Sequence, residues 1–116
     1  MISSDFIRGY IDLIVLSILE DKPNYGYGIS KVIDDVTSGT YTVKQTTLYS
    51  AFKRLEKNNY VTPFPQLGPN GKERTYYRIT PDGTAYFHDK CQEWEATQHI
   101  VNLFIHPHAS DSATRS

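Results

Sequence analysis

The sequence predicts a domain of the α+β class that is mainly α, and three observations predict it. The stretch Lys44 to Val61 (KQTTLYSAFKRLEKNNYV), wound as a helix, separates an apolar side from a Thr/Ser/Lys/Arg side. Directly behind it come two β-prone runs joined by a turn-rich tip. A last helical stretch then carries apolar residues at alternating spacings of four and three. Helix, hairpin and long terminal helix in that order describe a winged helix-turn-helix with an N-terminal helix in front and a dimerisation helix behind.

The first element is a helix over Asp5 to Glu20, with Ser3, Ser4 and Asp5 as N-cap candidates. It carries two apolar stripes. Ile7, Ile11, Ile14, Val15 and Ile18 form one, and Phe6, Leu13 and Leu16 form another nearly opposite, with Gly9 between them. A helix that is apolar all round is buried on both sides, so one stripe is expected to face the domain and the other a second subunit. Asp12 lies between the stripes, either as a solvated carboxylate or as a polar group in a partner or ligand surface, where it needs a pairing group. Asp21-Lys22-Pro23-Asn24 reads as a loop, with Asn24 able to cap the next helix, Tyr25 to Val36. Gly26 and Gly28 suggest close approach to another backbone, without the strand and spacing of a nucleotide-binding loop. Thr37-Ser38-Gly39 ends the helix, and Thr40 to Val43 is expected to pair with the wing.

In the central helix Leu48, Ala51, Phe52 and Leu55 fall on the inner side. Thr46, Ser50, Lys53, Arg54 and Lys57 fall on the outer side, with Tyr49 at the border. An apolar back with a basic, hydroxyl-rich front suits a helix that docks on a small core and presents its front to nucleic acid; a solvated basic face is the plainer alternative. Tyr60 to Leu67 (YVTPFPQL) contains Pro63 and Pro65, which suit an edge strand. Gly68-Pro69-Asn70-Gly71 is the tip, flanked by Lys72 and Arg74, and Thr75 to Ile79 is the return strand. Thr80-Pro81 opens the last helix as N-cap and first helical residue, and the helix extends to about Phe104. Phe87, Cys91, Trp94, Gln98, Val101 and Ile105 form its seam, read as a dimer interface. The expected divisions are a winged domain over 1–80, a dimerisation helix over 81–106 and a disordered tail over 107–116.

The run Asn24-Tyr25-Gly26-Tyr27-Gly28-Ile29, the core Thr47-Leu48-Tyr49 with Arg54-Leu55-Glu56, and Arg74-Thr75-Tyr76-Tyr77-Arg78-Ile79-Thr80-Pro81-Asp82-Gly83 resemble the signatures of PadR-type transcriptional regulators. The spacings hold over residues 8 to 104. Thr46, Ser50 and Thr75 depart from the residues common there, and Asn59 stands where a Gly often ends the helix, a left-handed position that Asn tolerates. The resemblance implies a homodimeric repressor that binds double-stranded operator DNA. Candidate DNA contacts are Lys44, Gln45, Thr46, Thr47, Ser50 and Lys53, with Tyr49, Arg54, Lys72 and Arg74 assigned to phosphates. The likeness extends to the multidrug-sensing LmrR subgroup. There a Trp of each subunit lines a ligand pore, which implies a planar aromatic effector held by Trp94, Phe6, Gly9, Asp12 and Leu13. From its position alone, Trp94 is equally a seam aromatic.

Composition is consistent with this. The net charge is −1, but residues 44 to 78 hold seven Lys/Arg against two Glu, a balance of +5, while the remainder carries −6. One positive face can bind phosphate despite a neutral total. At 116 residues the chain is one domain with a small core. It contains no run of 18 apolar residues, no basic leader and a single cysteine, so no membrane span is expected and a cytoplasmic location is. No catalytic constellation is visible, and His88, His99, His106 and His108 lack the spacing of a metal site. Neither enzyme activity nor a cofactor is expected. The rival class is a winged protein-interaction module without a DNA role.

Overall fold

One-sided helical periodicity produces a core sealed by three helices, with the fourth leaving it. The computed structural model describes residues 7–107. A 3-10 turn (Arg8–Tyr10) leads into α1 (Ile11–Asp21), β1 (Asn24–Tyr25) and α2 (Gly26–Val36). Then come α3 (Gln45–Lys57), β2 (Val61–Leu67), β3 (Glu73–Ile79) and α4 (Pro81–Ile105). The N-cap candidates Ser3, Ser4 and Asp5, the ligand candidate Phe6, and the tail from His108 onward lie outside the described residues.

The core joins Ile11, Val15, Leu16 and Leu19 of α1, Ile29 and Ile33 of α2, Leu48, Ala51, Phe52 and Leu55 of α3, and Val43 and Val61. All four residues expected on the inner side of α3 are therefore buried. Leu16 departs from expectation. Assigned to the outward stripe of the first helix, it is fully buried in the chain's own core, whereas Leu13 of the same stripe is half-buried and lines a hollow. At about 100° per residue Leu16 falls roughly 60° from Leu19, so the buried arc of α1, which runs through Ile11, Val15 and Leu19, is wide enough to take it in.

The sheet has the order β1-β3-β2, all antiparallel. Its third strand corrects the sequence reading. Asn24–Tyr25 pairs with Tyr77 and Tyr76, whereas 40–43 forms no strand. Instead Thr37 closes that turn, its hydroxyl donating to Ile33 O (2.8 Å) and its hydroxyl oxygen accepting from Tyr41 N (3.3 Å). With Asn24 drawn into the sheet, its Oδ1 accepts from Tyr25 N (2.8 Å), and α2 starts without a side-chain cap. Gly26 and Gly28 do permit close approach, but to side chains: a Cβ on Gly26 would press Gln45, and one on Gly28 would overlap Asn24.

The start of α4 is pinned to the end of α3. Asn59 takes the left-handed conformation (φ 62°) that reverses the chain after α3. Its carbonyl accepts from the Thr80 hydroxyl (2.6 Å), and the same oxygen of Thr80 caps α4 by accepting from Gly83 N (2.9 Å). Gly83 lies so close to the Tyr60 carbonyl that no Cβ fits between them, and Tyr60 stacks on Tyr86 at 4.2 Å. From this fixed origin α4 continues for 25 residues, about 37 Å. The chain's longest dimension is 57 Å.

Candidate nucleic-acid interface

Because α3 buries one side completely, the opposite side is presented to solvent. Lys44, Thr46, Tyr49, Ser50, Lys53 and Lys57 are exposed along it, and Thr47 is half-buried. The helix has no side-chain cap at its N-terminus, where only the Lys44 carbonyl accepts, from Thr47 N and Leu48 N. The N–H groups of Gln45 and Thr46, ahead of those two, can therefore meet an acceptor such as a phosphate oxygen. Ser50 donates back to Thr46 O (3.1 Å), so its hydroxyl oxygen still has acceptor capacity.

Two candidates are placed differently from the rest. Gln45 is half-buried against Gly26, at the root of a cleft rather than on the outer row. Arg54 is exposed but already paired within the chain: its Nε and Nη2 donate to Asp12 Oδ2 and Oδ1 at 3.1 and 2.7 Å. That hydrogen bond raises the Arg54 pKa above its ordinary value. Lys53 and Arg54, adjacent on the polar side, thus face different surroundings.

The hairpin places Lys72 and Arg74 beside its tip, both exposed. Gly68 N donates to Lys72 O at 2.7 Å, and Gly71 adopts φ 82°, which a side chain rarely accepts. Arg78, on the same strand, lies 4.2 Å over the Phe64 ring. Between the hairpin, α3 and the start of α2 opens a cleft of about 1160 Å³. Lys22, Tyr25, Tyr27 and Lys31 line it together with Tyr49 and Arg74. Sequence reasoning did not bring the α2 residues into the site. Tyr27, exposed on the first turn of that helix, was the available signal.

Where the first helical segment meets α4, four of the five expected effector residues come together. Gly9, Asp12 and Leu13 of the first helical segment and Trp94 of α4 line one hollow of about 160 Å³, with Tyr10, Tyr86 and Lys90. Trp94 is 40% exposed and meets Tyr10 edge-on, with ring centroids 4.8 Å apart. The expected seam divides in two. Phe87 and Cys91 are half-buried, Phe87 packing on the chain's own core. Gln98, Val101 and Ile105 are exposed, and so are Ile100, Leu103 and Phe104, which the heptad reading left out. Among the described residues no helix is long and apolar enough to cross a membrane, and no group of three His, Cys, Asp or Glu could hold a metal.

Comparison with known proteins agrees with this architecture. The Transcriptional regulator PadR-like family matches residues 15–89. The chain is similar to a transcriptional regulator from Clostridium thermocellum, 51% identical, with 90% of this chain and 99% of that one covered at a TM-score of 0.82. It is similar to a PadR family transcription regulator from Clostridium difficile, 35% identical, covering 83% and 98% at a TM-score of 0.71. Bacillus subtilis PadR in complex with operator DNA shares the fold at 20% identity and a TM-score of 0.61, over 70% of this chain and 46% of that one.

Proposed function

The chain belongs to the PadR-like family of transcriptional regulators, and on that premise we propose that it is a sequence-specific DNA-binding repressor acting as a homodimer. One observation carries the reading: the exposed row of α3, from Thr46 to Lys53, lies next to a wing whose basic residues are free of the core. In this reading residues 1–80 form the DNA-binding part and 81–106 the dimer arm. Thr46, Thr47, Ser50 and Lys53 contact base edges, while Tyr49, Lys72 and Arg74 contact phosphates. Operator DNA bound to the B. subtilis relative supports the same use of the fold here.

The test begins with duplexes selected from a random library by the wild-type protein. Lys53→Ala is expected to weaken the selected duplex by ~1–3 kcal/mol and to relax preference at one base. Lys72→Ala with Arg74→Ala is expected to weaken all duplexes alike and to reduce the log-log salt slope by ~0.9 for each phosphate that is no longer neutralised. Failure to select any duplex favours the protein-interaction module instead.

A second reading concerns the hollow. The convergence of Gly9, Asp12, Leu13 and Trp94 supports an effector site for a planar aromatic molecule, as in the multidrug-sensing subgroup. Trp94 is the chain's single tryptophan, so a stacked ligand is expected to quench or shift its emission. Trp94→Ala should lower the ligand's affinity by an amount near the ~0.5–1.5 kcal/mol of an aromatic pair. A set of flat cationic and phenolic aromatics that leaves the emission unchanged reduces Trp94 to a packing residue.

A further inference from the structure

We propose that the Asp12–Arg54 ion pair positions the recognition helix α3 and is the point at which a cation entering the Trp94 hollow acts on it. The proposal rests on the DNA-binding reading above. Its basis is that one carboxylate belongs to two places at once. Asp12 lines the hollow, and both of its oxygens are held by the guanidinium fork of Arg54, a residue 42 positions away on α3. Such a two-point pair fixes orientation as well as distance.

The position of Arg54 on its helix gives the pair its role. Arg54 belongs to the last turn of α3, whereas a recognition helix reads bases mainly from its N-terminal residues. Its pairing with Asp12 therefore takes no group from the reading end and tethers the opposite end to α1. The buried side of α3 keeps the helix on the core. The tether limits tilt, and at 13 residues, about 20 Å, a small tilt at one end displaces the other by the length of a hydrogen bond.

Among the described residues, the hollow's other charges are accounted for. Lys90 donates to both oxygens of Glu93 at 3.3–3.4 Å, so those two satisfy each other. Asp12 depends instead on a partner that reaches in from outside, on the helix assigned to DNA. A cation stacked near Trp94 competes with Arg54 for that carboxylate. The Arg54 and Asp12 side chains are 50% and 26% exposed, so the pair is screened and exchangeable rather than locked. By linkage, a cation that weakens operator binding is itself weakened by the operator to the same factor.

The experiment uses a duplex selected by the wild-type protein and, as cationic probe, benzyltrimethylammonium. Asp12→Asn and Arg54→Gln are each expected to lower operator affinity roughly five-fold, the ~1 kcal/mol scale of such a pair. The double variant should be no weaker than either single one. The exchanged pair, Asp12→Arg with Arg54→Asp, should recover most of the loss. Arg54→Gln weakening the operator while Asp12→Asn leaves it unchanged overturns the proposal, because Arg54 then acts on DNA directly. Additive losses in the double variant overturn it as well. With the probe present, Trp94 emission should change and wild-type operator affinity should fall, while Asp12→Asn keeps its affinity. A probe that leaves Trp94 emission unchanged, or affects both proteins alike, overturns the coupling. If no duplex can be selected at all, the DNA-binding reading fails, a result distinct from each of these.

Discussion

Replacing Val101 by Asp is expected to yield a folded monomer that has lost nearly all operator affinity. Val101 contributes nothing to the core of its own chain, which draws on α1, α2, α3, Val43 and Val61, so the winged part should remain intact. In the dimer reading, Val101 belongs to an apolar surface that also includes Ile100, Leu103, Phe104 and Ile105, all exposed along the outer half of α4. A contiguous stripe of that size is rarely left in water by a monomer. Burying an unpaired carboxylate there is costly, and dissociation avoids the cost. Two half-sites read by one dimer gain from effective concentration, and losing the second subunit is expected to weaken binding by about 10²–10⁴. Light scattering and gel shift at micromolar protein check both halves. A wild-type monomer, or an Asp variant that stays dimeric and binds as before, would falsify the arm's role.

What was legible in the sequence follows from where burial is one-sided. The inner face of α3 repeats at helical spacing because one side meets the core and the other meets solvent, so Leu48, Ala51, Phe52 and Leu55 could be named from the pattern. The wing was legible through turn chemistry, with Pro63 and Pro65 on the edge strand and Gly71 at the left-handed position of the tip. β1 was not. A two-residue strand cannot show alternation, and its partners are more than 50 residues downstream. The seam of α4 was half legible, because a heptad pattern does not say whether a position faces a partner or its own α1. Phe87 belongs to the chain's own packing for that reason. Asp12, set between two apolar stripes, could be read as needing a pairing group, but only the packing of α1 on α3 identifies that group as Arg54. Arg54 therefore read as one more basic group on the outer row.

Phe52→Ala is expected to be the most destabilising single truncation in the winged part. Phe52 is 1% exposed and is among the largest fully buried side chains. It stacks on Tyr77 of β3 at 4.1 Å and 19° and meets Tyr49 edge-on at 6.4 Å, so one ring joins α3 to the wing. Truncating a buried Phe costs ~3–5 kcal/mol through lost transfer energy and the cavity left behind. Against a typical total of about 5–15 kcal/mol, that is a large fraction of the stability of a small domain. The melting temperature should fall by roughly 10–30 °C. A second consequence separates this residue from an ordinary core position. Burial, with the nearby Glu56 and Tyr49, holds the Tyr77 hydroxyl above the usual tyrosine pKa. Removing the ring that covers Tyr77 should return its titration toward the ordinary value, which NMR of ring-labelled tyrosine can follow. At a temperature where the variant is still folded, the hairpin loses its stacking partner on α3, and operator affinity should fall even though Phe52 itself reaches no DNA. Tyr49→Ala is the contrasting substitution, because Tyr49 is exposed and its loss should affect DNA binding with little change in melting temperature. A Phe52 variant that melts within a few degrees of wild type and binds the operator equally well would show that the wing is held by its strand pairing alone.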